Sequence, residues 1–452
     1  MTTTHAPGVA AEVIAVRPGP PLAGTVSVDG SKNAALPLLA ATAALSRPVR
    51  LSNVPDSTDV QIMLTLLQQA GWHVAQPVGE PTTYVILPTE ASRGLPDLAQ
   101  AAQIRASYYL VPALLARYGQ ARLPWPGGCR IGARGMELHF KVYEAFGDRS
   151  RQESSGYGIE ALSSHTGTVS IALPFRSRGA TVAATLRALA TGRPLRLGQP
   201  NLSPEVLSVL DALSSVGWET RANEHVLTLS PPSSPPTAPA AWTVPGDKIE
   251  AATLACAIAA TRGTARIDGV QGKDVGPFVA ALHQLGIPAD PASDGLTVRA
   301  QEAVPTARPL RAIASLRPAG LDADFEPPLM ALALGLPGTH LFADAINPGR
   351  HGNLLPQLTR LGAEIEEISP TECRLTGPQH LTGAGVEATD IRTGSALTVA
   401  GLTARGVTTI GGLDQLRRGH ADLSGKLRTL GAWPRCPPTR RGRDPRGSAD
   451  NR

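Results

Sequence analysis

Long apolar runs are missing from this chain of 452 residues. The longest, around Leu36–Leu45, falls well short of the roughly 20 residues that cross a bilayer, so no membrane association is expected. No basic stretch followed by an apolar one opens the sequence, which argues against a secretory signal. Cysteine is sparse: Cys129, Cys256, Cys373 and Cys436 lie far apart, with no CxxC and no Cys/His spacing suited to zinc. The expectation is reduced thiols in a cytoplasmic protein, with no disulfide framework, no metal site and no cofactor. Net charge is also small, at +5. The stretch 435–452 holds six Arg and two Asp and so carries four of those five charges. The remainder is close to neutral, which speaks against a surface built to coat nucleic acid. Lysine is nearly absent, with 5 Lys against 37 Arg, and Arg suits bidentate binding of anions.

What is present is apolar material in quantity, 42% of residues. The chain exceeds the roughly 250–300 residues at which single cores stop growing, so two domains are expected. One short pattern recurs: an apolar helix end, then Gly, then a strand-like stretch. It ends at Gly71, Gly147, Gly217, Gly286, Gly362 and Gly431, with gaps of 76, 70, 69, 76 and 69 residues. Glycine suits the position just past a helix, where φ turns positive. Each unit also holds a helix of small residues, such as Ala34–Leu45, Ala251–Ala260 or Ala396–Thr403. A β-type segment follows it, such as Val49–Leu51, Thr264–Ile267 or Val407–Ile410. Six α/β modules divide into three and three. The proline-dense segment 231–245 lies between modules three and four and is the expected domain boundary. The Arg/Pro/Gly-rich stretch 435–452 reads as a disordered basic tail.

Polar residues gather where each small-residue helix should begin: Ser31-Lys32-Asn33, Arg105-Ala106-Ser107, Arg176-Ser177-Arg178-Gly179, Asp247-Lys248, Asp322-Ala323-Asp324 and Asp390-Ile391-Arg392. Singly, each reads as ordinary capping, and for Ser177, Asp247 and Asp322 that account suffices. Lys32, Arg105 and Arg392 do not fit it, because a cation at a helix N-terminus opposes the helix dipole unless an anion sits there too. Gly-rich loops with Arg repeat the theme at Cys129-Arg130 to Arg134, at Gly349-Arg350-His351 and at Arg417-Arg418-Gly419. Cys129 has two cations close by in sequence, and nearby cations lower a thiol pKa and activate it as acid or nucleophile. Asp324 and Asp390 are the carboxylates best placed to act as general base.

Lys32-Asn33, Arg105 and the loop Gly127-Gly128-Cys129-Arg130-Ile131-Gly132-Ala133-Arg134 resemble the UDP-N-acetylglucosamine enolpyruvyl (1-carboxyvinyl) transferases. The related aromatic-pathway transferases, with Ser-Lys-Ser in the first motif and no Cys loop, fit less well. The resemblance spans about Gly24 to Trp433. It implies an α/β (α+β) fold of two domains, three modules each, an inside-out α/β barrel pair closing on a cleft. Residues 1–31 would give the first strands of the second domain, 32–230 the first domain with the Cys129 loop, 231–245 the crossover and 246–434 the second domain. The implied reaction moves the enolpyruvyl group of phosphoenolpyruvate to a hydroxyl of a uridine nucleotide, releasing phosphate by addition and elimination. The implied donor site is Lys32, Arg105, Arg134, Arg350, Arg392 and Arg418. Cys129 would be general acid or capture the donor, and Asp324 would be the hydroxyl base. Asp390 and Arg392 match the family's Asp-x-Arg, and Lys32 counts among the catalytic residues. Asn33, Arg134, Glu137, Leu138, Arg176, Ser177, Arg178, Gly179 and Asp324 would line the acceptor site. Arg350 matches its family position with one extra loop residue.

Departures fall on the acceptor side. The family's Lys-x-Ser-x-Gly segment, which holds the acceptor diphosphate, here begins with Phe175. Gly135 and Glu137 replace a Pro and an Asp after Arg134, and the stretch Pro200 to Glu205 replaces Ala-Arg-Glu-Pro-Glu. This pattern implies a divergent paralogue whose acceptor is either UDP-N-acetylglucosamine, for peptidoglycan precursors, or another uridine nucleotide such as UMP, in nucleoside antibiotic synthesis. The alternatives are a non-catalytic nucleotide-binding regulator and, more remotely, an RNA-end-processing enzyme. A monomer acting on small molecules is expected.

Overall fold

The computed structural model describes residues 12–45, 47–89, 94, 96–127, 135–162, 166–234, 237–304, 306 and 308–432. Cys129, Arg130, Arg134, Cys436 and the tail 435–452 lie outside them.

Two hydrophobic cores are present. One is built from Ala34 to Val244; the other takes Ile14–Val28 together with Ile249–Ala432. The chain therefore begins in the second core, crosses to the first near Gly30, and returns near Gly246. The two crossing strands touch: the Ser31 amide donates to the Pro245 carbonyl at 2.7 Å and the Asp247 amide to the Asp29 carbonyl at 2.8 Å. Glycine is required at both crossings by close backbone approach. A Cβ at Gly30 would lie 1.8 Å from the Asn53 carbonyl oxygen, and one at Gly246 would lie 1.9 Å from that of Gly269. The proline-dense segment is only partly linker. Ala240–Thr243 pairs parallel with Val49–Ser52 and closes a first-core sheet. A strand fits there because its residues lie between prolines and keep their ladder N–H groups.

The described residues form six small sheets, three in each core. Each core also holds three inner helices that pack on one another: Lys32–Ala44, Val111–Tyr118 and Arg178–Thr191 in the first, Lys248–Ala260, Glu326–Ala333 and Ile391–Gly401 in the second. These helices are apolar nearly all round, as a helix buried on every side must be. Lys248–Ala260 is buried from Lys248 through Ala259. Alanine supplies both high helix propensity and the small side chains that let three helices pack closely. Six outer helices, Thr58–Gln69, Glu137–Ala145, Pro204–Ser215, Gly276–Gln284, Arg350–Arg360 and Leu423–Thr429, each end two residues before one of the recurring glycines. All six glycines have φ between 78° and 95°, the left-handed conformation that the repeat pattern called for. No described helix is long and apolar enough to cross a membrane.

Candidate active site

The inner helices begin at the polar residues themselves, so the charges sit in their first turns. Lys32, Arg178 and Lys248 open their helices, Arg105 opens a short 3-10 turn ahead of Val111–Tyr118, and Asp322–Asp324 and Asp390–Arg392 cap or open the others. All of these N-termini, from both cores, line one cleft of about 760 Å³. Among the described residues ten Lys or Arg face it against six Asp or Glu. That excess of four positive charges is local, on a chain whose body is near neutral. Low dielectric and aligned helix dipoles strengthen its hold on anions.

Three carboxylate centres organise the cations. Asp59, in the first turn of Thr58–Gln69, takes Lys32 Nζ at 3.1 Å and, from the other core, Arg418 Nε at 2.8 Å. Burial alone would raise the Asp59 carboxyl, but Lys32 and Arg418 hold it below the usual range. Asp324 accepts Arg350 Nη2 at 2.7 Å on one oxygen and Arg392 Nη2 at 3.0 Å on the other. Here too burial is overcome, by Arg392, Arg350 and Arg178, and the carboxyl sits well below its ordinary value. Arg350, fully enclosed, also donates to the Ala323 carbonyl and lies 3.4 Å from Asp344. The third centre is a square of charge across the cleft. Arg178 and Glu205 come from the first core, Lys248 and Asp322 from the second. Arg178 meets Asp322 at 3.1 Å and Glu205 at 3.6 Å; Lys248 meets the same two at 2.9 and 3.2 Å.

The expected site residues divide as follows. Lys32, Asn33, Arg105, Glu137, Leu138, Arg176, Ser177, Arg178, Gly179, Asp324, Arg350, Asp390, Arg392 and Arg418 all line the cleft. The loop cation Arg417 does not share the fate of Arg418: it pairs with Glu12 at 2.6 Å on the surface. Asp390, expected as a candidate base, caps a helix. Its Oδ1 accepts the Arg392 and Thr393 amides and its Oδ2 accepts the Thr393 hydroxyl at 2.6 Å. It caps Ile391–Gly401 and so aims Arg392. Two of the cations at the helix starts, Lys32 and Arg392, pair with the protein carboxylates Asp59 and Asp324.

Several cleft residues were not read from the sequence. Asp59 looks like any acid in a first helical turn. Glu205 and Lys248 stood in quoted motifs without an assigned role. His139 is buried beside Tyr108, ring centroids 4.6 Å apart, and among the described residues neither ring nitrogen has a hydrogen-bond partner. Burial and, secondarily, Arg105 push its pKa down to about 3, so it is a neutral imidazole. Gly179 makes room for it: a Cβ there would lie 2.6 Å from His139 Nε2. Phe175 stands at the cleft edge, 56% exposed.

Two cores that each turn three inner-helix starts, rich in cations, toward one shared cleft form a two-domain architecture suited to binding anions. The chain belongs to the EPSP synthase (3-phosphoshikimate 1-carboxyvinyltransferase) family, which it matches over residues 16–427, and it is an enolpyruvyl transferase. It is 34% identical over 417 residues to UDP-N-acetylglucosamine 1-carboxyvinyltransferase 2 of Carboxydothermus hydrogenoformans, covering 91% of this chain and 96% of that one. Identity to the Symbiobacterium thermophilum UDP-N-acetylglucosamine 1-carboxyvinyltransferase 3 is 34% over 424 residues, covering 92% of this chain and 96% of that one. Among solved structures, the enolpyruvyl transferase NikO from Streptomyces tendae superposes with a TM-score of 0.80 at 25% identity, covering 94% of this chain and 98% of that one. The EPSP synthase of Acinetobacter baumannii, at TM-score 0.72 and 14% identity, covering 94% and 99%, shares the fold.

Proposed function

We propose that this enzyme transfers the enolpyruvyl group of phosphoenolpyruvate to a hydroxyl of a uridine nucleotide. The observation that carries the reading is the Asp324 carboxylate, held ionised between Arg350 and Arg392 in a cleft with an excess of cations. Lys32 and Arg418, joined at Asp59, supply charge for the donor phosphate, with Arg105 and Arg134 in the same anion site. Arg350 and Arg392 supply charge near the donor carboxylate. The acceptor hydroxyl adds its oxygen to C2 of the donor while Asp324 takes the proton, and Cys129 delivers a proton to the methylene carbon. Loss of a methyl proton and cleavage of the C–O bond to phosphate then yield the enol ether and inorganic phosphate. A carboxylate held at low pKa is a weak base in the ground state. It suits a hydroxyl that becomes acidic only as its new C–O bond forms. Preorganised cations stabilise the charge that builds on the donor.

The acceptor loop is Phe175–Gly179, with Asn33, Glu137 and Leu138 opposite. The names of the curated relatives favour UDP-N-acetylglucosamine as acceptor. Phe175, where those enzymes' pattern has a Lys for the diphosphate, favours a shorter uridine nucleotide such as UMP, with Arg176 beside it to hold one phosphate. A monomer working in the cytoplasm, where its donor is found, completes the reading. The test is phosphate release from phosphoenolpyruvate with UMP, UDP and UDP-N-acetylglucosamine in turn. Release with one uridine nucleotide is expected. No release with any of the three would overturn the acceptor class.

A further inference from the structure

The Asp322 carboxylate is divided between two tasks. Its Oδ1 accepts the backbone N–H of Asp324 at 3.0 Å, capping the turn that presents that side chain. Its Oδ2 accepts Arg178 Nη2 at 3.1 Å and Lys248 Nζ at 2.9 Å. Lys248 and Asp322 belong to the same core, so their pairing does not depend on the cleft being closed. Arg178 comes from the other core and opens the helix whose Ser177 cap lies in the acceptor loop. One carboxylate thus joins the backbone of Asp324 to the acceptor loop across the cleft. Glu205, on the Arg178 side, repeats the cross-cleft link in the other direction through Lys248 at 3.2 Å.

We propose that Arg178 and Asp322 form a positioning tie: they set the Asp324 carboxylate for proton transfer only when the two cores are closed with the loop Phe175–Gly179 seated. The proposal rests on Asp324 being the hydroxyl base. Arg178 is then more than an acceptor ligand. Its reach to Asp322 adds a cross-cleft contact to those that Lys248, Arg350 and Arg392 make within the second core, so opening the cleft removes one restraint on the turn that carries the base. A small misplacement is enough, since about 1 Å of error at a reacting group can cost on the order of 100-fold in rate.

The test uses the full chain, phosphoenolpyruvate, and whichever of UMP and UDP-N-acetylglucosamine the wild type turns over. Arg178→Met keeps the stem and loses the charge. Asp322→Ser keeps a capping oxygen and loses the reach to Arg178. Each is expected to lower kcat by roughly 10-fold to 100-fold while KM for phosphoenolpyruvate stays within about twofold. Arg178→Lys should recover most of the turnover. The double variant should be no worse than the worse single, as for residues acting through one contact. Losses that multiply in the double variant would overturn the tie. So would an Arg178→Met enzyme with raised acceptor KM and unchanged kcat, which is a binding residue only. Phosphoenolpyruvate binding by titration calorimetry shows that each variant is folded, and Asp322→Ser carries the test if Arg178→Met is not. Asp324→Asn separates the two levels. Full turnover there removes the base reading and the tie together; an inactive Asp324→Asn beside fully active tie variants removes the tie alone.

Discussion

Replacing Asp324 by Asn should produce two losses that respond differently to added anion. Asp324 is 17% exposed, and its two partners are more enclosed, Arg350 at 2% and Arg392 at 7%. Removing the charge leaves Arg392 without its ion-pair partner and Arg350 with only the longer contact to Asp344 at 3.4 Å. Breaking a buried pair from one side costs about 3–5 kcal/mol; the partial exposure and the surviving Asp344 contact place this case near ~3 kcal/mol. Spread over the second core, that is a drop of roughly 6–12 °C in its melting transition. The catalytic loss is separate, about 10²–10⁴-fold for a general base, or ~2.7–5.5 kcal/mol of barrier. Inorganic phosphate or phosphoenolpyruvate can neutralise the freed arginines. An anion at 100 times its Kd restores about 2.7 kcal/mol of stability, but it cannot take the hydroxyl proton. Calorimetric melting with and without phosphate, beside phosphate-release rates, reads both effects. A variant that melts like the wild type, or that turns over within threefold of it, refutes the role given to Asp324.

Phe175→Lys should raise kcat/KM for UDP-N-acetylglucosamine relative to UMP by roughly tenfold, the scale of one charge-assisted phosphate contact; an unchanged acceptor preference would remove Phe175 from the selectivity. His139 is neutral in the folded protein, with its pKa near 3, against about 6.5 when unfolded. A depressed folded pKa means that stability is full above pH 6.5 and falls as pH drops toward 3, by about 1.4 kcal/mol at pH 5.5. Denaturant titrations at pH 7.5 and 5.5 should show this slope reduced in His139→Gln, and an identical slope would contradict it. Cys256 and Cys373 are fully buried and burial pushes both thiols up. Both should resist a thiol reagent in the native protein and react after unfolding, as peptide mass spectrometry would show.

The six glycine stops were legible because positive φ past a helix is a local requirement, carried by one residue type whatever surrounds it. The inner helices were legible from their small apolar residues, and the anion-binding character of their starts from cations in the wrong place for a helix dipole. The capping role of Asp390 was not legible, because its spacing to Arg392 is the same whether it caps or reacts. Only the three hydrogen bonds on its oxygens distinguish the two. Ala240–Thr243 was hidden by the prolines around it, since strand pairing depends on a partner 191 residues away.

The amino-acid sequence by itself determined the module count, the helix ends and the set of cations, because each follows from local backbone preference or side-chain charge. Tertiary structure alone decided which charges meet. Asp59 and Arg418 are 359 residues apart, Arg178 and Asp322 144 apart, and Asp324 and Arg392 68 apart. No local rule links such positions. They come together because two cores, each nearly closed by its own apolar packing, turn their inner-helix N-termini toward a shared cleft.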